Sequence, residues 1–531
     1  MSRLEVDEPV ERRSPRLGPV AVAVAACTAP LLALLAARFT RPAVGPDAVA
    51  YLAVARSIHD GNGIAFWIED PLVTWPPLWP ATIAAGMRLT PFRPDVAALF
   101  LNALALAGCV VTGAALARRV LRTDAMRTAM LVSLAVSPVL VGLTILVQTE
   151  VLFALLVLGV LLSLLRWADD EHPRWLLVAG LLTVTGFYVR YQALYVVPAF
   201  AAWIGVRTLL RRRSLPRAIA DAAWYAVPAV VPAAAWMLRN LHLSDTILGP
   251  RFPSDVGPVS NVLHAFATTF KFLTSLPTVP KLPAAVLTAA VLVAAVVVLE
   301  RRTRPDGEGG ARLRGLLRRL EPAFCGPVGL LATFLVGFTL LMVVTRSMVG
   351  FDDLDIRLLA PCLVPTSLLL LRYCEVVLDD GNVERAVRRV LVGGWLGLQV
   401  VVVFAMVGPS NHVVADYGFN SDKAVAAANS PALDALPEDC VLYSNNSADL
   451  YGAGIETYIS PRRVEYKSSQ PTDDLAELVD AVESGQTTCL IWLEYSEDDE
   501  YHSREDLAEE LELVELASAD QVTTYLVEPR R

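Results

Sequence analysis

Residues 128–165 read TAMLVSLAVSPVLVGLTILVQTEVLFALLVLGVLLSLL, and Glu150 is the only charged side chain in the stretch. A helix needs about 20 consecutive apolar residues to cross roughly 30 Å of hydrocarbon. The stretch is therefore long enough for two crossings that turn at Gln148-Thr149-Glu150. Working outward, further apolar runs occupy 17–39, 96–117, 175–189, 193–210, 219–238, 282–299, 327–345, 358–371 and 390–407, which with 128–147 and 151–165 make eleven. The runs starting at Val151, Trp175 and Leu358 are short for a span and are expected to tilt or to re-enter. The first run follows a cluster of arginines as a secretory signal would, but it exceeds the roughly 7–15 residues of a signal's apolar core, so a retained span is expected.

Composition agrees: 54% of the 531 residues are apolar and the mean hydropathy is +0.48, more than a soluble core would hide. Basic residues stay on the cytoplasmic side during insertion. With the N-terminus inside, the inner connections hold 26 Lys and Arg and the outer ones 12. The expected class is a mainly α, polytopic membrane protein of about eleven transmembrane helices with a C-terminal extracytoplasmic α/β domain. It divides into a cytoplasmic segment 1–16, a transmembrane domain 17–408 with long outer loops at 40–95 and 239–281, and an acidic domain 409–531. The net charge of −9 splits into about +10 for the membrane part and −19 from Asn411 onward. The basic clusters sit in short inner loops that topology explains, so no nucleic-acid partner is expected.

Five of the seven cysteines lie in or beside spans, and only Cys440 and Cys489 share the outer domain. Both fall at expected strands on an oxidising side, so they are expected to pair. No CxxC or Cys/His cluster suggests a structural zinc. A phosphate-binding GxxxxGK[ST] loop is missing too, which removes the signal for ATP chemistry.

The first outer loop carries a helix over 46–59, opened by Gly45-Pro46. A Gly61-Asn62-Gly63 turn follows, then an extended Trp75-Pro76-Pro77-Leu78-Trp79-Pro80 and a further helix from Ala81. In the outer domain strands are expected at 440–444, 462–466, 487–494 and 522–528, and helices at 422–436, 473–483 and 503–511, the last with a Ser503 capping box.

Polar residues gather where spans meet the outer face. Asp47 opens the loop helix, where the helix dipole favours its ionised form, and it either accepts a proton or merely supports that helix end. Tyr51 follows on the same face. Glu150 and Arg190 sit at span ends, where an ionisable group is a functional hypothesis unless it only snorkels. Arg357 ends an Asp352-Asp353-Leu354-Asp355-Ile356-Arg357 run, and its fork suits a phosphate; the acids of the run are otherwise a solvated loop, with Asp353 a reserve candidate. Arg239, Arg251, His264 and Lys271 in the second long loop could each meet a phosphate or be surface charge. Trp67, Trp75 and Trp79 suit sugar stacking or an interfacial belt.

The stretch from Gly45 to Arg56, Gly61-Asn62-Gly63, Trp75 to Pro80, Thr149-Glu150, Arg190-Tyr191-Gln192-Ala193-Leu194 and Arg357-Leu358-Leu359-Ala360-Pro361 resembles, in order, GT-C glycosyltransferases. The likeness is to the branch of the protein O-mannosyltransferases and lipid A aminoarabinose transferase, over roughly 15–410. It implies transfer of a sugar from a polyprenyl-phosphate donor to a glycan, lipid or protein acceptor. Asp47 would be the base or a contact to a divalent metal, Mg²⁺ or Mn²⁺. Asp followed by Glu is the mannosyltransferase pattern, whereas Ala48 follows here. The competing classes are a transporter or flippase, which would need midplane charges or inverted repeats, and a non-catalytic scaffold.

Overall fold

The computed structural model describes residues 18–39, 41–276, 279–303, 324–378, 382–408, 418–466, 468–496 and 499–530. The expected cytoplasmic segment 1–16 and most of the basic connection 301–319 lie outside them.

Each of the eleven apolar runs falls on helix. The bundle consists of α1 (Pro19–Ala36), α4 (Pro94–Val120), α5 (Asp124–Ala135), α6 (Pro138–Ile145), α7 (Glu150–Asp170), α8 (Arg174–Val189), α9 (Val196–Leu210), α10 (Leu215–Ser244), α12 (Lys281–Thr303), α13 (Pro327–Met348), α14 (Leu363–Val377) and α15 (Asn382–Val407). Among the described residues nine helical stretches are long and apolar enough to cross a membrane, and two shorter apolar ones, Arg174–Val189 and Lys281–Val293, supply the remaining runs. The run at 151–165 is not short in the structure. Its helix continues through the polar residues to Asp170, making 21 residues.

The third run is broken instead. Pro138 has no N–H to continue a helix and pushes Ser137 out of the α region, so α5 stops and α6 restarts with the Ser137 hydroxyl capping Leu140 N. Side-chain placement fits a lipid solvent. On α1 the buried residues are Ala25, Ala29, Ala33 and Ala36, a small-residue seam packed on α4, while Val20, Val24, Leu31 and Leu35 face outward.

Between α1 and α4 lie α2 (Pro46–Asp60) and α3 (Leu78–Leu89). Pro46 starts α2 and Gly61, at φ 88°, ends it in the left-handed region that glycine enters without strain. Helix α3 begins at Leu78, not Ala81 as expected, so only 75–77 precede it; Pro80 fits because a first helical turn needs no bonded N–H. The second long loop, where no helix is expected from the sequence, contains α11 (Pro258–Thr274).

The C-terminal domain is a five-stranded sheet, order β2-β1-β3-β5-β4, of β1 (Val441–Ser444), β2 (Tyr458–Ile459), β3 (Thr488–Leu493), β4 (Leu511–Ala519) and β5 (Val522–Pro529). The β2, β1 and β3 strands run parallel, while β5 and β4 pair antiparallel. Helices α16 (Asp422–Ala428), α17 (Ser447–Tyr451), α18 (Asp474–Glu483) and α19 (Arg504–Glu510) pack around it. Cys440 and Cys489 form a disulfide. The expected strand at 462–466 is absent; only isolated bridges, Arg462 to Tyr501 and Val464 to Pro471, form there.

The domain sits on the end of the bundle that carries the first loop. Gly418 forms a bridge with Val44 so close that a side chain at 418 would collide with the Val44 backbone. The Trp67 indole donates to Thr457 O at 3.1 Å, and its ring stacks on Tyr451 at 5.4 Å.

Candidate active site

Asp47 and Glu150 are brought together by backbone. Residues just before α2 pair with those between α6 and α7: Ala43 N donates to Ile145 O and Val147 N to Ala43 O, both at 3.1 Å. Asn102 of α4, fully buried, donates to the carbonyls of Leu146 and Gln148 and fixes that strip. Each acid therefore opens a helix, Asp47 in the first turn of α2 and Glu150 in that of α7, where the exposed N–H groups favour an anion. Arg190 follows α8 at its C-terminal end, which favours a cation. Arg357 comes from the loop before α14, shaped by Asp355, whose carboxylate accepts from the backbone N–H of Arg357 and Leu358.

The four side chains meet. Arg357 donates to Asp47 Oδ2 at 2.7 Å, to Glu150 Oε1 at 3.3 Å and to Asp352 Oδ2 at 3.4 Å. Arg190 donates to the same Glu150 oxygen at 2.8 Å and to Thr149 Oγ1 at 2.9 Å, with Gln192 Oε1 at 3.0 Å on its Nε. Glu150 is 1% exposed and bridges two guanidiniums. The Asp47 side chain is 39% exposed, the most open of the three carboxylates that Arg357 contacts. Burial alone would lower the pKa of the Arg357 guanidinium, but Glu150, Asp47 and Asp352 outweigh it, raise the pKa above its ordinary value and hold the group firmly protonated. Tyr51 is buried on α2, and burial, with Asp47 nearby, pushes its phenol up, so it stays a neutral hydroxyl.

A second, more positive cluster lies on the other side of the Asp352-Asp353 pair. Around Asp353 stand His264 at 3.4 Å, Lys281 at 3.7 Å and Arg346 at 3.8 Å. Arg346 is 2% exposed and also donates to Ser254 Oγ. Burial holds His264 below its usual range, and Lys281, Arg346 and Lys271 reinforce this against Asp353. Sequence reasoning missed Lys281 and Arg346, although a charged residue at a span end was the signal that found Arg190.

Other expectations fare differently. Asp353 faces this basic cluster, not Arg357. Lys271 lies two turns beyond His264 on α11. Arg251 is exposed and donates to Pro250 O, with no ion pair to either cluster among the described residues. Arg239 is a structural tie, donating to Leu72 O and lying 4.4 Å from the Trp236 ring. Trp79 is 1% exposed, so it cannot stack on a sugar; Trp67 and Trp75 are engaged with Tyr451, Phe66 and Tyr51.

A divalent metal does not fit these residues. Asp47, Glu150 and Asp352 converge on the Arg357 guanidinium, which already supplies the cation, and among the described residues no three His, Cys, Asp or Glu side chains are grouped to hold a metal.

The bundle, the acid and arginine cluster at one end of it and the α/β domain above make a polytopic membrane fold. Over nearly its whole length the chain is similar in fold to ArnT from Cupriavidus metallidurans in the apo state, with 12% identity, 96% of this chain and 97% of that chain covered, and a TM-score of 0.56. The same protein bound to undecaprenyl phosphate matches with 12% identity, the same coverage and a TM-score of 0.55. Residues 74–236 match the dolichyl-phosphate-mannose-protein mannosyltransferase family. That segment contains Glu150 and Arg190, whereas Asp47 and Arg357 lie outside it. No curated protein matches the chain by sequence.

Proposed function

We propose that the protein is a glycosyltransferase that moves a sugar from a polyprenyl-phosphate donor to an acceptor hydroxyl on the extracytoplasmic face, with inversion at the anomeric carbon. The observation that carries this reading is the convergence of Asp47, Glu150, Arg190 and Arg357, from four distant segments, on one end of a membrane bundle. The end of a membrane bundle is where a lipid headgroup is reached, and the mannosyltransferase family match and the ArnT fold support the same chemistry.

Asp47 takes the acceptor proton while the acceptor oxygen bonds to C1, and the C1–O bond to phosphate breaks on the opposite face. Glu150 and Tyr51 shape the acceptor side. Arg190 and Arg357 face the leaving phosphate, with Arg357 exchanging a carboxylate for a phosphate oxygen. The first cluster holds more acids than arginines, so the surplus positive charge of Lys281, Arg346 and Lys271 completes the attraction of the donor. The test is radiolabelled polyprenyl-phosphate sugar incubated with purified protein and candidate acceptors. A glycosylated product supports a transferase, whereas donor moved across a vesicle membrane without product supports a flippase.

Replacing Lys281 with Gln, or Arg357 with Lys, removes one charge-assisted contact and should weaken polyprenyl-phosphate binding about tenfold. Titration of the lipid by intrinsic fluorescence checks this, and unchanged affinity in both variants would remove the phosphate assignment.

The orientation proposed for the chain, N-terminus inside and C-terminal domain outside, is supported by the 26 to 12 asymmetry of basic residues and by the Cys440–Cys489 disulfide. Protease added to intact cells with a permeabilised wall should remove the C-terminal domain. A domain cleaved only after lysis would reverse the orientation.

A further inference from the structure

The hairpin-like turn after Pro461 leaves the C-terminal domain and reaches down to the membrane part. Its stem is held within the domain: Arg462 N donates to Asp474 Oδ2 at 3.2 Å, Glu465 N to Gln470 O at 2.8 Å, and Val464 bridges Pro471. The Arg462 guanidinium lies between two rings, 5.4 Å from that of Tyr466 and 5.5 Å from that of Tyr501. Contacts from two of its described residues reach the membrane part. Ser469 Oγ donates to Asp255 Oδ1 at 2.9 Å, and Tyr466 Oη donates to Asp352 Oδ1 at 2.5 Å.

The second contact ends in the site. Asp352 spends its other oxygen on Arg357 Nη1 at 3.4 Å, and Arg357 grips Asp47 through Nη2 at 2.7 Å. Four groups in series therefore run from the outer domain to the carboxylate assigned as base: Tyr466, Asp352, Arg357 and Asp47. We propose that Tyr466 is a positioning residue of the active site, lent by the C-terminal domain, which sets how the Arg357 fork is shared between Asp352 and Asp47. This inference rests on the transferase reading above.

The physical reason lies in competition for one cation. Asp47, Glu150 and Asp352 all draw on Arg357. A hydrogen bond from a neutral phenol to Asp352 satisfies part of that carboxylate and weakens its claim on the arginine, leaving Nη2 aimed at Asp47. The phenol stays protonated and able to donate, because burial, with Asp352 and Asp47 nearby, pushes it well above its ordinary value. Domain docking does not depend on the contact: Trp67 to Thr457, Tyr458 Oη to Trp67 O and the Gly418–Val44 bridge hold the interface elsewhere. Tyr466 is 38% exposed where it meets Asp352.

The test compares full-length Tyr466→Phe with Tyr458→Phe, a control that loses a domain tether outside the site. Tyr466→Phe keeps the ring and removes the hydroxyl that donates to Asp352. It should lower kcat about three- to tenfold, because Asp352 then pulls Arg357 from Asp47. Polyprenyl-phosphate affinity and Tm should match the wild type, and Tyr458→Phe should leave kcat unchanged. Wild-type kcat in Tyr466→Phe would overturn the proposal. So would equal losses of kcat and Tm in both variants, which would make the contact merely structural. A wild-type protein that transfers no sugar but binds the lipid would overturn the transferase reading itself.

Discussion

Asp47→Asn is expected to lower kcat by about 10²-fold or more, because the amide keeps the size of the side chain and its hydrogen bond from Arg357 but has no basic oxygen to take the acceptor proton. Asp47 is the natural choice among the acids of the cluster. Glu150 is sealed at 1% exposure, and Asp352 is occupied by Tyr466 and Arg357, whereas the Asp47 side chain stays 39% open at the head of α2. The loss should fall on kcat and leave polyprenyl-phosphate affinity nearly unchanged, since the carboxylate acts on the acceptor. Steady-state and lipid-binding measurements on one folded preparation separate the two. Near-normal turnover in Asp47→Asn would pass the role to Asp352 or Glu150.

Glu150→Ala is expected to cost stability as well as activity. The carboxylate sits at the first turn of α7 between Arg190 at 2.8 Å and Arg357 at 3.3 Å, so its loss leaves two guanidiniums facing each other at the same depth. Removing one partner of a buried charge pair typically costs about 3–5 kcal/mol. Here the lower end is expected, because Arg357 keeps Asp47 and Asp352, and Arg190 keeps Thr149 and Gln192. Thermal unfolding in detergent should show the fall, and Glu150→Gln, which keeps an acceptor oxygen for one arginine, should recover part of it. A Glu150→Ala protein with the wild-type Tm would mean that the cluster does not hold the bundle end together.

The membrane part was legible because a bilayer imposes one rule on every span: about 20 apolar residues, whatever the neighbours. Runs such as 96–117 and 327–345 needed no tertiary knowledge. The break at Ser137-Pro138 was written in the sequence too, since proline and its predecessor oppose a continuous helix, but the apolar run concealed it. In the outer domain, Thr488–Leu493 and Val522–Pro529 announced themselves as strands by their β-branched and aromatic content. Leu511–Ala519 carries Glu512 and Glu515 on an edge strand and reads poorly; its pairing with β5 decides its structure.

The site was legible one charge at a time. Asp47, Glu150, Arg190 and Arg357 each stood out as ionisable groups at span or helix ends. Their mutual pairing could not be read, because it depends on how segments more than 200 residues apart in sequence, such as Glu150 and Arg357, pack. For the same reason the sequence pointed to Asp353 as the reserve acid, although Asp352 is the one that reaches Arg357 and its neighbour Asp353 faces the other cluster. Tyr466 carried no signal at all: one tyrosine in an acidic domain becomes part of the site only through the docking of that domain.

The most direct measurement is the stoichiometry of donor breakdown in lipid nanodiscs, with free polyprenyl phosphate and glycosylated acceptor quantified in the same reaction. The account expects one polyprenyl phosphate released for each sugar transferred, an inverted anomeric configuration in the product, and both signals suppressed together in Asp47→Asn. Phosphate released without transfer to an acceptor, or a product that retains the donor configuration, would contradict it.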